Sequence, residues 1–145
     1  MAYIAQARPR FQAHARDYYG ITVNEGPFGI SSRPALVGAK FAEAHGLGHD
    51  YHLAVLSAYF MQAQDISDLN VLADIAEQVG LNPADFRAAL NDPAAIAAVE
   101  ADVDQAHQLG LNGVPALVFQ QKYLVSGAQP YETLVKVVEQ LLGQN

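Results

Sequence analysis

Asn112-Gly113-Val114-Pro115-Ala116-Leu117-Val118-Phe119 passes from a polar, glycine-bearing approach through a proline into an apolar run. Tyr123-Leu124-Val125-Ser126 follows after Gln120-Gln121-Lys122, and Gly127-Ala128-Gln129-Pro130 leads into a closing amphipathic stretch. The alternation predicts a hairpin with strands over 116–120 and 123–126, and Pro130 opens a last helix with Leu134, Val137, Val138, Leu141 and Leu142 on one face. A proline at the mouth of an apolar strand cannot donate to a ladder, so Pro115 belongs at a strand start or bulge. A cis Val114-Pro115 bond fits that place and would leave the carbonyl and amide of Val114 open to a ligand, although by residue type alone a trans proline opening an edge strand is the commoner case.

Upstream of the hairpin the periodicity is helical throughout. Residues 2–19 space Ile4, Phe11, Ala15 and Tyr18 by threes and fours, with Pro9 expected to end or kink the first turn. Residues 20–30 carry three glycines and a proline and read as an extended connection. Ser31 and Ser32 offer an N-cap, with Pro34 in the first turn, for a helix to about His45, closed by Gly46-Leu47-Gly48. A helix over about 49–62 is expected to put Leu53, Leu56, Tyr59 and Phe60 on one face. Asp65-Ile66-Ser67-Asp68 starts the next, which ends at Gly80. Asn82-Pro83 and Asp92-Pro93 each set a cap residue before a helix-starting proline, predicting helices over roughly 84–91 and 94–109. A two-stranded sheet is marginal in water, and covering it with helices still leaves an open strand edge. The pattern therefore calls for more sheet than these residues supply.

The totals narrow the function. A chain of 145 residues with 51% hydrophobic and 16% charged residues can build one core and is poor in surface charge, which leaves room for a self-association face. A net charge of −7 repels phosphate backbones, so no nucleic-acid partner is expected. No stretch has the length and apolarity of a membrane span, and residues 1–6 lack the pattern of a signal peptide, so the expected compartment is the cytoplasm with no membrane partner. The chain holds no cysteine, which removes structural disulfides, a thiolate nucleophile and thiolate metal sites.

Other polar clusters favour structure over chemistry. His45, His49 and His52 have a spacing that can place two imidazoles on one helical face, yet apart from Asp50 no further ligand is evident, so no metal is expected. Asp65, Asp68 and Asp74 complement helix starts, and Glu100, Asp102 and Asp104 form a solvated face. Ser31, Ser32 and Ser57 have no glycine-framed turn and no histidine partner, which argues against a hydrolase triad. Tyr18, Tyr19, Phe28, Tyr59 and Phe60 read as core or interface aromatics. No cofactor is specified by any of these residues.

The order of these parts resembles the thioredoxin-like DsbA family, most closely its cytoplasmic FrnE-like branch. The resemblance rests on Ala54-Val55-Leu56-Ser57-Ala58-Tyr59-Phe60, on Asp65-Ile66-Ser67-Asp68 with Leu72 and Gly80-Leu81, on residues 106–115, and on Ser126-Gly127-Ala128-Gln129-Pro130. It implies an α/β fold of thioredoxin-like, DsbA type, mostly helical, in which a helical insertion precedes a β-hairpin and a C-terminal helix. As a single domain over 1–145, the chain would divide into a helical block at 20–110 and a strand-hairpin-helix tail at 111–145. Members of the family begin with a strand, a Cys-X-X-Cys helix start and a second strand, ahead of the point where this sequence starts. Carried over residue by residue, Gly113, Val114 and Pro115 correspond to the substrate-facing loop, and no residue takes the place of either cysteine.

Three readings follow from the resemblance. Descent implies a thiol-disulfide oxidoreductase family member, redox-inactive as this chain. The residues themselves suit a non-catalytic binding or self-assembly module, a homodimer with a peptide or thiol substrate held in the proline groove. A related branch that binds glutathione and isomerises aromatic carboxylates is a third, with its residues likewise outside this sequence.

Overall fold

The computed structural model describes residues 2–143, with side chains from Ala7 onward, so Ile4 of the expected helical spacing, Met1, Gln144 and Asn145 lie outside that description. The described chain forms two compact units, Met1–Glu100 and Ala101–Asn145. In the first unit, α1 (Ala2–Tyr19), α2 (Arg33–Ala44), α3 (Gly48–Phe60), α4 (Leu69–Gln78), α5 (Pro83–Ala89) and the start of α6 (Pro93–Gln108) follow one another. The second unit holds the end of α6, the strands β1 (Ala116–Phe119) and β2 (Tyr123–Ser126), and α7 (Tyr131–Leu142).

Local chemistry sets most helix starts. Asp68 accepts from the Asn70 amide at 2.8 Å, Asn82 from the amides of Ala84 and Asp85, and Asp92 from the Ala94 amide at 2.9 Å. Each cap satisfies amides that have no partner within the helix. Asp65 makes a turn just before α4, its Oδ1 accepting from the Ser67 amide and hydroxyl at 2.9 and 2.6 Å. The Ser67 hydroxyl and amide, in that order, hold the Asp65 carboxyl below its ordinary value. Two details differ from the expected starts and stops. Ser32 sits at the α2 cap without a side-chain bond, and Ser31 Oγ instead accepts from the Arg33 amide at 3.3 Å. The helix α1 continues across Pro9, because the ring's fixed φ is itself helical and only one backbone bond is lost.

The core of the first unit lies between α2, α3, α4 and α5, with Tyr51, Leu72 and Phe86 fully buried. Phe86 meets Tyr51 and Phe41 with ring centroids 5.5 and 5.9 Å apart. Gly38 permits this approach, since a Cβ there would come within 2.5 Å of the Tyr51 hydroxyl and 2.6 Å of the Phe86 ring. The Tyr51 hydroxyl finds no hydrogen-bond partner among the described residues, and burial pushes its pKa up because the charged phenolate would lose its solvation.

On α3 the core face is Tyr51, Val55 and Ala58, at i, i+4 and i+7. Of Leu53, Leu56, Tyr59 and Phe60, expected to share its apolar face, Tyr59 is half-buried against the core, while Leu53, Leu56 and Phe60 are 51%, 40% and 38% exposed. The helix is apolar on two sides, and periodicity alone does not say which side meets the core.

Candidate functional site

The second unit is organised around the residues that open the hairpin. Just past the end of α6, Gly110 with a φ of +70° turns the chain, while the Gly110 amide donates to His107 O and the Leu111 amide to Ala106 O, each at 2.9 Å. This closure satisfies terminal carbonyls through a left-handed residue that glycine adopts without steric cost. Asn112, Gly113, Val114 and Pro115 then cross to β1, and the Val114-Pro115 bond is cis.

The hairpin is antiparallel, with Ala116 opposite Ser126, Leu117 opposite Val125, Val118 opposite Leu124 and Phe119 opposite Tyr123. Gln120 and Gln121 both adopt positive φ, +51° and +56°, the conformation a tight hairpin turn demands. Directly opposite residues share a face, so Leu117, Val125, Phe119 and Tyr123 lie on one side and Ala116, Ser126, Val118 and Leu124 on the other. Both faces are apolar. A sheet solvated on one face alternates polar and apolar residues, whereas a sheet covered on both does not. Leu117, Val118 and Leu124 nevertheless stay 44%, 36% and 46% exposed. On α7, Leu141 is buried and Leu134 and Val137 are half-buried, while Val138 and Leu142 of the same expected face are exposed.

The stretch around Val114-Pro115 is linked to Ser126-Gly127-Ala128-Gln129-Pro130 beyond the strands. The link is a hydrogen bond, since the Gly127 amide donates to Pro115 O at 2.8 Å and fixes the loop end beyond the last strand pair. Gly127 has a φ of +79°, open to glycine and costly for other residues, and Gln129 Nε2 braces the turn by donating to Ser126 O at 3.0 Å.

The three expected site residues lie together at this corner. Gly113, Val114 and Pro115 are all exposed, and the Val114 side chain is 92% exposed. No hydrogen bond between described residues engages the amide or carbonyl of Val114. The corner thus offers a bare apolar side chain, an open donor and acceptor, and an adjacent strand with one edge unpaired among the described residues. Such a surface can add an extended chain through backbone hydrogen bonds.

The other expected candidates are not brought into a site. His45 Nδ1 donates to Phe41 O at 2.8 Å, Ser57 Oγ accepts from Gln62 Nε2 at 3.4 Å, and Asp65 and Asp68 serve the turn and cap described above. Among the described residues no group of three or more His, Cys, Asp and Glu side chains is placed to hold a metal ion, and no helix is long and apolar enough to cross a membrane.

Comparison with known proteins bears on the fold. The model of the DSBA-like thioredoxin domain matches residues 6–139. A solved structure of a probable DsbA oxidoreductase from Streptomyces coelicolor superposes with a TM-score of 0.82 and 29% identity, over 97% of this chain and 61% of that one. Among curated relatives, a ClpXP adapter protein, SpxH, of Shouchella clausii is 30% identical over 117 residues, which are 75% of this chain and 39% of the relative. An uncharacterized protein of Bacillus subtilis, YwbO, is 41% identical over 56 residues, 39% of this chain and 28% of that protein. The chain therefore spans well under half the length of the curated relatives it matches.

Proposed function

We propose, from the premise that the chain belongs to the DSBA-like thioredoxin family, that it binds an extended polypeptide and supplies no thiol chemistry of its own. The family fold, mostly helical with a two-stranded antiparallel sheet and a C-terminal helix, provides the frame. The observation that carries the reading is the combination of a bare Val114 corner beside an unpaired strand edge with a chain that contains no cysteine. Disulfide exchange requires a thiolate as attacking group, so any such step needs a thiol from another segment or another protein. Holding the substrate needs only what this corner has, a free backbone donor and acceptor, an apolar contact at Val114, and the edge of β1.

The likeness to a relative named as an adapter protein supports a role based on binding. The edge also accepts a strand from a second copy, which is the route to the homodimer expected from the sequence.

Fluorescence anisotropy with a cysteine-free, extended apolar peptide tests the proposal. The expected result is saturable binding in the micromolar range, weakened at least fivefold by Val114→Asp. Absence of saturable binding, or equal binding by Val114→Asp, would overturn it. Mass measured by light scattering across a dilution series, with and without the peptide, shows whether a second copy competes for the same edge.

A further inference from the structure

The first unit contains a second apolar site that the peptide-binding reading does not use. The outer face of α3, with Leu53, Leu56 and Phe60, looks across at α1, and the space between them forms two cavities of about 240 and 390 Å³. Phe11, Val23 and Phe60 wall both, and the Phe11 and Phe60 ring centroids stand 6.4 Å apart. The larger cavity is lined by uncharged residues alone. The smaller one has a single charged lining residue, Arg8.

Arg8 is held in place from both ends of its environment. Its Nη2 donates to Gly26 O at 3.2 Å, and the segment carrying Gly26 is tied to the end of α3. The Asn24 amide donates to Phe60 O at 2.8 Å, and Asn24 Nδ2 donates to Met61 O. Gly26 itself lies against the backbone of Ala63, where a Cβ would meet Cα at 3.1 Å. A guanidinium carries five N–H donors, and this one spends a single donor on Gly26. Among the described residues no carboxylate pairs with it. In a chain of net charge −7, a half-buried cation opening on an apolar groove is a localised complement to an anion.

We infer that this groove binds a single-chain aliphatic carboxylate, with the carboxylate on the Arg8 guanidinium and the hydrocarbon tail lying along the Phe11–Phe60 ring pair toward Leu53. The larger cavity, about 390 Å³, falls within the roughly 300–1,000 Å³ of ligand pockets, and the smaller one beside it carries the cation. A planar fork pairs with a carboxylate by two parallel hydrogen bonds, and burial of the tail against Phe11, Leu53, Leu56 and Phe60 supplies the apolar contact.

Calorimetric titration of the full chain with dodecanoate, kept below its micellar concentration, tests the inference, with dodecanol as the uncharged control. Dodecanoate is expected to bind one to one and at least tenfold more tightly than dodecanol. Arg8→Gln should remove that tenfold preference while leaving dodecanol unchanged, and Arg8→Lys should restore part of it. Leu53→Gln should weaken both ligands by at least threefold. No dodecanoate binding, equal affinity for the two ligands, or dodecanoate binding untouched by Arg8→Gln would each overturn the inference. So would a dimer that excludes dodecanoate and dissociates in Leu53→Gln, because the groove would then be covered by a second copy. The Val114→Asp variant should bind dodecanoate normally, which separates this site from the peptide corner.

Discussion

Phe86 in the helical unit is fully buried between Tyr51 and Phe41, whereas Val118 and Leu124, a cross-strand pair in the hairpin unit, remain 36% and 46% exposed. The two units are built from similarly apolar residues, so composition does not explain the contrast. Topology does. Four helices can enclose a core among themselves, because each turns one stripe inward and satisfies its own backbone. A two-stranded hairpin with two apolar faces cannot, because it has no strand on either side and needs cover on both faces. The helical unit thus encloses its own core, whereas the hairpin unit keeps apolar side chains exposed among the described residues.

Truncation is the strongest way to break that contrast. Phe86→Ala is expected to cost about 3–5 kcal/mol by emptying a closed core, and Leu124→Ala no more than about 1 kcal/mol at a half-exposed site. Urea unfolding of both variants checks this, and equal costs would mean that the hairpin is buried in solution by something else. Overfilling is the next probe. Gly38→Ala drives a methyl into the Tyr51 hydroxyl and the Phe86 ring and should cost about 1–3 kcal/mol, read as a lowered denaturation midpoint.

Within the hairpin unit, Gly127→Ala should cost about 1–2 kcal/mol from the left-handed backbone alone. Little steric conflict adds to that, since only Gln129 Nε2 lies near, at 3.9 Å. Hydrogen exchange at the residue 127 amide should accelerate, because alanine strains the left-handed turn that aims this amide at Pro115 O. The smallest effect is electrostatic. The Asp65 carboxyl has a folded pKa below its unfolded value, so its contribution is present above the ordinary carboxyl range and is lost as pH falls through the folded value. Asp65→Ala should therefore lower Tm near pH 7, and lower it less as pH falls through the folded carboxyl's titration.

Much of this architecture is legible in the sequence where a residue acts on its immediate neighbours. Asp68, Asn82 and Asp92 cap the helices that their spacing predicts, and Gln120-Gln121 marks the hairpin turn. Val114 and Pro115 could be picked out because a proline at a strand mouth has few places to go. What stayed hidden depends on contacts between residues far apart in the chain. The Gly127 amide reaching Pro115 O, Gly38 making room for Tyr51 and Phe86, and Arg8 fastened to Gly26 leave no periodic signal. The outward side of α3 shows the limit most clearly, since Leu53, Leu56 and Phe60 are as apolar as a core face and lie on the other side of the helix. Only the second apolar stripe, Tyr51, Val55 and Ala58, could have warned of it.

The central claim is that the corner at Val114 and the free edge of β1 receive an extended chain. Amide NMR of the labelled protein, titrated with a cysteine-free extended peptide, tests it residue by residue. The account predicts shift changes concentrated at residues 113–119 and 126–127, with new protection of amides along β1. Changes confined to the helical unit, or none at saturating peptide, would contradict it.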